Sequence, residues 1–242
     1  MYFNSAIARL PEHPLGDRVG AEDRAGQSEL CGLLDPVLLE VMTGALEGVD
    51  PAETIALVFQ VNSRGSVVSD DEVVVRLRPA LGFGSGHHPT TRLTLLGLQQ
   101  VALGGQDVLD LGTGSGLLAV AAVKLGARRA IGIDRDADAL RSAQQCVTEN
   151  HVSGRVELLK GDLATMANKA PIVAANLTGA TLARLAPTIR ARVTPGGHLI
   201  LSGILASEAD TVVEAYATGA ELVWQAFEEE WVGIMVKVGL QP

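Results

Sequence analysis

The run Asp110-Leu-Gly-Thr-Gly-Ser-Gly116 lies between an apolar stretch that reads as a strand, 107–111, and one that reads as a helix, 117–125. Glycines at a strand-to-helix turn let a ligand approach the backbone closely, and in an open α/β sheet that turn lies at the carboxyl edge, where ligands bind. The spacing is G-x-G-x-G. A dinucleotide fingerprint asks for glycine or alanine at the sixth position counted from Gly112, and Leu117 stands there. Asp110 precedes the first glycine, and a carboxylate at the strand end repels a pyrophosphate but suits a cation. S-adenosylmethionine carries an ammonium and a sulfonium and no phosphate, so it meets both conditions. Gly112 and Gly114 are the turn positions expected to lie against it.

Two further carboxylates fit an adenosine ligand. Asp134 closes the next strand, in IGIDRD, and is placed to accept both hydroxyls of a ribose; its other reading is an ordinary helix N-cap. Asp162, in KGD after the third strand, is placed either for the adenine amino group or as a turn residue. Methyl transfer from a sulfonium is an in-line displacement that needs alignment and exclusion of water, not a metal or a covalent nucleophile. It does need an acceptor to orient the attacking amine. Asn176, ending the fourth strand, is the candidate catalytic residue, through its side-chain oxygen; the alternative is a cap for the helix that follows. His87 and His88 are neighbours that project differently, and with no H-E-x-x-H or cysteine partner no metal site is expected.

The elements that must position these residues alternate. Strands are expected at Asp107–Leu111, Ala130–Asp134, Val156–Lys160, Ile172–Asn176 and His198–Ser202, with helices from near Thr90 and at Leu117–Leu125, Ala137–Asn150, Ala180–Val193 and Glu208–Ala217. That alternation specifies a parallel sheet covered on both faces. Glu221–Phe227 and Trp231–Val238, separated only by EEE, leave no room for a helix and must pair as an antiparallel hairpin. The fold class is therefore α/β with an antiparallel tail. Upstream, residues 1–30 have no sustained period. Asp35-Pro36 is an N-cap followed by a first-turn proline and predicts a helix running to Gly48. Ile55–Val61 and Val73–Leu77 read as strands.

Composition sets the limits. The 242 residues carry 28 acidic against 19 basic groups, a formal charge of −9, which disfavours extended contact with a phosphate backbone. The core must be aliphatic, because hydrophobic residues make up 47% and aromatics only 3%. The longest apolar run, Leu117 to Val123, falls far short of the roughly 18–20 residues of a membrane span. No signal peptide is expected from MYFNSAIARLPEHP. Cys31 and Cys146 make neither a disulfide framework nor a zinc site, so a reducing cytoplasm is the expected compartment.

Phe83-Gly-Ser-Gly-His-His-Pro-Thr-Thr91, DLGTGSGLLAVAAVKLGA, GIDRD, VAANL and LSGIL resemble the PrmA-type bacterial methyltransferases, which modify amino groups of a ribosomal large-subunit protein. The resemblance covers Val73 to Val238. It implies the seven-stranded, Rossmann-like class I methyltransferase sheet and S-adenosylmethionine as cofactor. It also implies cofactor contacts from Thr91, Gly112, Asp134 and Asn176. His88 matches the family histidine and reads as a hydrogen-bonding residue of the loop or as a general base. Phe83 shields the methionine moiety or packs the loop. Thr113 stands where the family usually has cysteine. The family's N-terminal recognition domain is not spelled out here, so residues 1–75 are expected to be a divergent segment, for substrate recognition or as a lid. Residues 76–242 are expected to be the catalytic domain. The expected partner is a protein, a ribosomal large-subunit protein among the choices, or else a small molecule or peptide, with neither nucleic acid nor membrane. A dehydrogenase and a non-catalytic nucleoside-binding protein are the remaining alternatives.

Overall fold

The structure is a computed structural model and describes residues 39–43, 55–60, 72–77, 88–163 and 165–240. Seven strands, β4 (Asp107–Leu111), β5 (Arg129–Asp134), β6 (Val156–Lys160), β7 (Ala170–Asn176), β8 (Val193–Leu205), β9 (Ala220–Glu228) and β10 (Trp231–Val238), form one sheet. Their order is β6-β5-β4-β7-β8-β10-β9. The first five positions are parallel, and β10 lies antiparallel to both β8 and β9. The order reverses between β4 and β7, so the crevice at their carboxyl ends is the switch point where such sheets bind ligands.

Residue alternation along the strands sorts side chains onto two faces. Val108, Ala130, Ile172 and Ile200 pack with α1 (Pro89–Gln99), α2 (Leu117–Lys124) and α3 (Ala137–Glu149). Leu109, Ile131, Val173 and Leu201 pack with α4 (Gly179–Arg184), α5 (Ala186–Arg190) and α6 (Ala209–Tyr216). Every residue from Leu117 to Val123 in α2 is buried, which explains why that helix is apolar all round. Among the described residues no helix is long and apolar enough to cross a membrane.

A second, antiparallel sheet in the order β1-β2-β3 comprises β1 (Leu39–Thr43), β2 (Ile55–Gln60) and β3 (Glu72–Leu77). It joins the main body through β3. Val75 and Leu77 belong to the core beneath α2 and α3. The free edge of β3 is capped by side chains. Asn150 accepts the Arg76 N–H at 2.9 Å and donates to the Arg76 carbonyl at 2.7 Å, and Lys124 Nζ donates to the Val74 carbonyl at 2.6 Å.

Two expectations are corrected. The helix over 35–48 is not formed across 39–43, where LEVMT is instead β1, with Leu39 opposite Phe59 and Thr43 opposite Ile55. Pairing with an adjacent strand overrides a local helix signal, and Val41 and Thr43 are β-branched; residues 35–38 and 44–48 lie outside the described residues. The single helix over 180–193 is two short ones, and Val193 already begins β8. Pro187 sits in the first turn of α5, and without an N–H it cannot continue the ladder from α4.

Candidate active site

The backbone of the turn after β4 is bonded to its neighbour, with Gly112 and Thr113 both donating to the Ile133 carbonyl at 2.9 and 3.0 Å. Gly112 has φ 75°, Gly114 53° and Gly116 78°, the left-handed region in which other residues are strained. At Gly112 a Cβ would also stand 2.8 Å from Leu177 Cδ2. The turn of β4 is thereby closed directly against the residue after Asn176.

Alternation places Asp110 on the Val108 face, under the start of α2, where it is fully buried. Its Oδ2 accepts from the Thr113 hydroxyl at 2.6 Å and from the Ala119 N–H at 3.2 Å. Oδ1 is buried with no hydrogen-bond partner among the described residues. Burial pushes the carboxyl up from 3.8 to about 6, against the lowering effect of those two hydrogen bonds. The structure thus draws Asp110 out of a direct ligand contact and into the framework of the turn. Opposite it in the β4–β5 register stands Gly132. A Cβ there would lie 2.7 Å from Thr113 Oγ1, so the missing side chain is what lets Thr113 reach Asp110.

Asp134 lies at the end of β5, half-buried. Its Oδ2 accepts the Gly114 N–H at 3.0 Å and its Oδ1 the Asp136 N–H at 2.9 Å. It is not the helix N-cap, which is Asp136. Asp162 is exposed at the same edge, one residue beyond Gly161, whose N–H donates to the Asp134 carbonyl at 3.0 Å.

Across the switch point, Asn176 ends β7, and its Nδ2 donates to Thr91 Oγ1 at 3.5 Å. It is not a helix cap either, since Thr178 takes that position. Room for it comes from Gly203 in β8, at φ 85°, where a Cβ would stand 2.2 Å from the Leu177 carbonyl oxygen and 3.1 Å from Asn176 Oδ1. Thr91 is buried in the first turn of α1. That helix is N-capped by His88, whose Nδ1 accepts the Thr90 N–H at 3.3 Å and lies 2.9 Å from the Thr90 hydroxyl. The histidine therefore hydrogen-bonds locally, as its family position implies. Phe83 and His87 lie outside the described residues.

The structure brings together Thr91, Gly112, Gly114, Asp134 and Asn176, keeps Asp162 on the rim, and moves Asp110 underneath. Sequence reasoning missed the supporting roles of Thr113, Gly132 and Gly203. The Ser-Gly within the apolar run LSGIL was a usable signal, because an isolated glycine in a strand marks a bulge or a close approach. It also missed Glu228 and Trp231, which lie far along the chain and carry no local motif. Among the described residues no three His, Cys, Asp or Glu side chains converge as a metal would require. Burial pushes the Cys146 thiol up to about 12, too high for a thiolate nucleophile at neutral pH. What the site offers is a backbone cradle, a negative field and an amide oxygen beside it, which is the equipment for binding and aligning reactants.

A parallel sheet with this strand order, a glycine turn after β4 and a C-terminal antiparallel hairpin defines the class I, Rossmann-like methyltransferase fold. The model of the family described as ribosomal protein L11 methyltransferase (PrmA) matches residues 45–238. The chain belongs to that family. It is 46% identical over 168 residues to the ribosomal protein L11 methyltransferase of Escherichia coli strain SMS-3-5, covering 69% of this chain and 57% of the relative. With that of Geobacter metallireducens it shares 43% over 169 residues, 69% of this chain and 56% of the relative. The chain thus spans little more than half the length of these curated relatives. The crystal structure of a ribosomal protein L11 methylase from Lactobacillus delbrueckii subsp. bulgaricus superposes with a TM-score of 0.60 at 25% identity, covering 67% of this chain and 90% of that one.

Proposed function

We propose that this chain is an S-adenosylmethionine-dependent N-methyltransferase acting in the cytoplasm on amino groups of a protein, with a ribosomal large-subunit protein as the favoured acceptor. Family membership supports the reaction class. The observation that carries the reading is the Thr91–Asn176 pair, 3.5 Å apart beside the glycine turn at the switch point. The residues present fit the cofactor. A buried carboxylate with one unanswered oxygen favours a cation above it, and the glycines leave the turn's backbone open to close approach. When bound, S-adenosylmethionine supplies an electrophilic methyl group on sulfur.

The chain's own residues do the rest. Asp134 accepts from the ribose hydroxyls and Asp162 from the adenine amino group, while Asp110 keeps the turn in shape and negative. Thr91 engages the amide nitrogen of Asn176, which leaves Oδ1 as the acceptor that orients the remaining N–H of an incoming amine. Phe83 shields the methionine end. Residues 1–75 serve substrate recognition, and 76–242 the transfer itself.

Calorimetry with S-adenosylmethionine against NAD tests the cofactor: binding of the first and not the second is expected. Labelled methyl transfer to purified ribosomal protein L11, and to cell extract fractionated by size, tests the acceptor. Label in the protein is expected; label confined to small molecules would transfer the reading to a small-molecule methyltransferase built on the same core.

A further inference from the structure

The turn of the β9–β10 hairpin stands beside the first turn of α1 and is joined to it twice. The Trp231 ring meets His88 edge-on, with centroids 4.9 Å apart and planes at 68°. Arg92 Nε donates to Glu228 Oε1 at 2.6 Å, and its Nη2 reaches the same oxygen. Both hairpin residues are well anchored. They face each other in the β9–β10 register, and Trp231 also pairs with Leu205 at the end of β8. Glu228 is only 8% exposed, so this ion pair is not the solvent-screened kind that contributes little. On the other side, His88 caps α1, and the Thr91 N–H donates to the His88 carbonyl at 3.0 Å. The ring nitrogen thus holds Thr90 and the backbone carbonyl holds Thr91, so His88 as a whole anchors the turn that carries Thr91.

We propose that Trp231, backed by the Glu228–Arg92 pair, is a positioning residue: it fixes the first turn of α1, and with it Thr91 opposite Asn176. The inference rests on the methyltransferase reading above. The Thr91–Asn176 separation of 3.5 Å already lies at the outer limit of a hydrogen bond, so a shift of about 1 Å breaks it. In-line transfer is sensitive to displacement on the same scale. A hairpin that only closed the sheet would need apolar residues facing the core, and Val232 and Ile234 supply those; neither a ring on an imidazole nor a carboxylate on Arg92 serves that purpose.

The test uses the full chain with Trp231→Leu, Trp231→Phe and His88→Asn, and the Trp231→Leu/His88→Asn double variant. Amide hydrogen exchange over 90–94 is followed without ligand, and S-adenosylhomocysteine binding is measured by calorimetry. Trp231→Leu is expected to speed exchange over 90–94 while β4 and β5 stay protected, and to weaken binding about 3- to 10-fold. Trp231→Phe restores both. In the His88→Asn background, Trp231→Leu adds nothing further. Additive losses in the double variant, unchanged exchange over 90–94, or faster exchange across every strand would each overturn the proposal, the last by making Trp231 a packing residue. If the unaltered chain binds no S-adenosylhomocysteine, the methyltransferase reading fails, while the exchange data still decide whether the clamp exists.

Discussion

A carboxylate buried with one oxygen unanswered is costly, and Asp110 keeps that cost directly beneath the site. Its folded-state value, about 6, lies above the 3.8 of an exposed aspartate. The folded chain therefore holds the extra proton: the stability from this group is fully present below pH 3.8 and is lost as pH rises through about 6, by up to about 3 kcal/mol. Asp110→Asn removes the titration and can keep both bonds from Thr113 and Ala119 to its oxygen. Urea unfolding of the two proteins between pH 4 and 7 should show the variant gaining on the parent as pH rises; parallel curves would mean that Asp110 does not titrate in this window. Asn176 has a different signature. Asn176→Ala is expected to lower turnover at saturating S-adenosylmethionine by about 100-fold, as loss of an orienting hydrogen bond in a transition state does. Turnover retained, with only cofactor affinity lost, would reduce the residue to a binding contact. Thr91, Gly112, Asp134 and Asn176 were legible because each stands in a recognisable motif, in a helix's first turn, in a strand-to-helix turn or at a strand's end. Thr113 was legible only as a turn residue, since its bond to Asp110 depends on the bare position at Gly132 across the sheet.

At the level of elements, the short parallel strands β4 to β7, punctuated by glycine and aspartate, were legible to within a residue or two, because burial makes most positions of β4, β5 and β7 aliphatic and β6 keeps a short apolar centre. Three elements were not. The sequence ahead of β1 offers a cap and a proline, Asp35-Pro36, that suit a helix, and pairing of β1 with β2 decides otherwise. The segment after β7 has helical spacing, and only the missing N–H of Pro187 divides it. β8 is a third case, running from Val193 to Leu205 around Gly203. The pairing of β10 slips between Val232 and Ile234, where they oppose Ile204 and Leu201, so the bulge spans Ser202 and Gly203. A bulge next to a site re-aims what lies against it, and here it lets Leu177 and Asn176 approach β8. Gly203→Ala puts a methyl at the Leu177 carbonyl and a side chain at φ 85°. The expected result is a loss of about 2–4 kcal/mol in stability and at least tenfold weaker S-adenosylhomocysteine binding. An alanine variant with parental affinity would show that the close approach is not needed for the site.

At the level of the whole molecule, the joint between the two sheets is made by polar side chains as much as by the core. A strand edge with unpaired N–H and carbonyl groups must be covered or satisfied, and Asn150 does this for Arg76 as a neighbouring strand would. The same Nδ2 also donates to the Cys146 carbonyl at 2.8 Å, so one amide closes the end of α3 and holds β3 to it. The sequence pattern suggested a division near residue 75, yet β3 runs from Glu72 to Leu77 and carries core residues of the main body. That overlap was illegible because the bond partners, Arg76 and Asn150, are 74 positions apart. Asn150→Ala leaves the Arg76 N–H and carbonyl without this partner, at a cost of about 1–3 kcal/mol. If the three-stranded sheet opens as a unit of its own, that cost falls on the joint alone. Amide exchange in β3 is then expected to accelerate by about 5- to 150-fold, with β4, β5 and β7 unchanged and S-adenosylhomocysteine bound as before. Uniform acceleration through β4, β5 and β7 would instead make the two sheets one cooperative body, with substrate recognition and transfer unable to move independently.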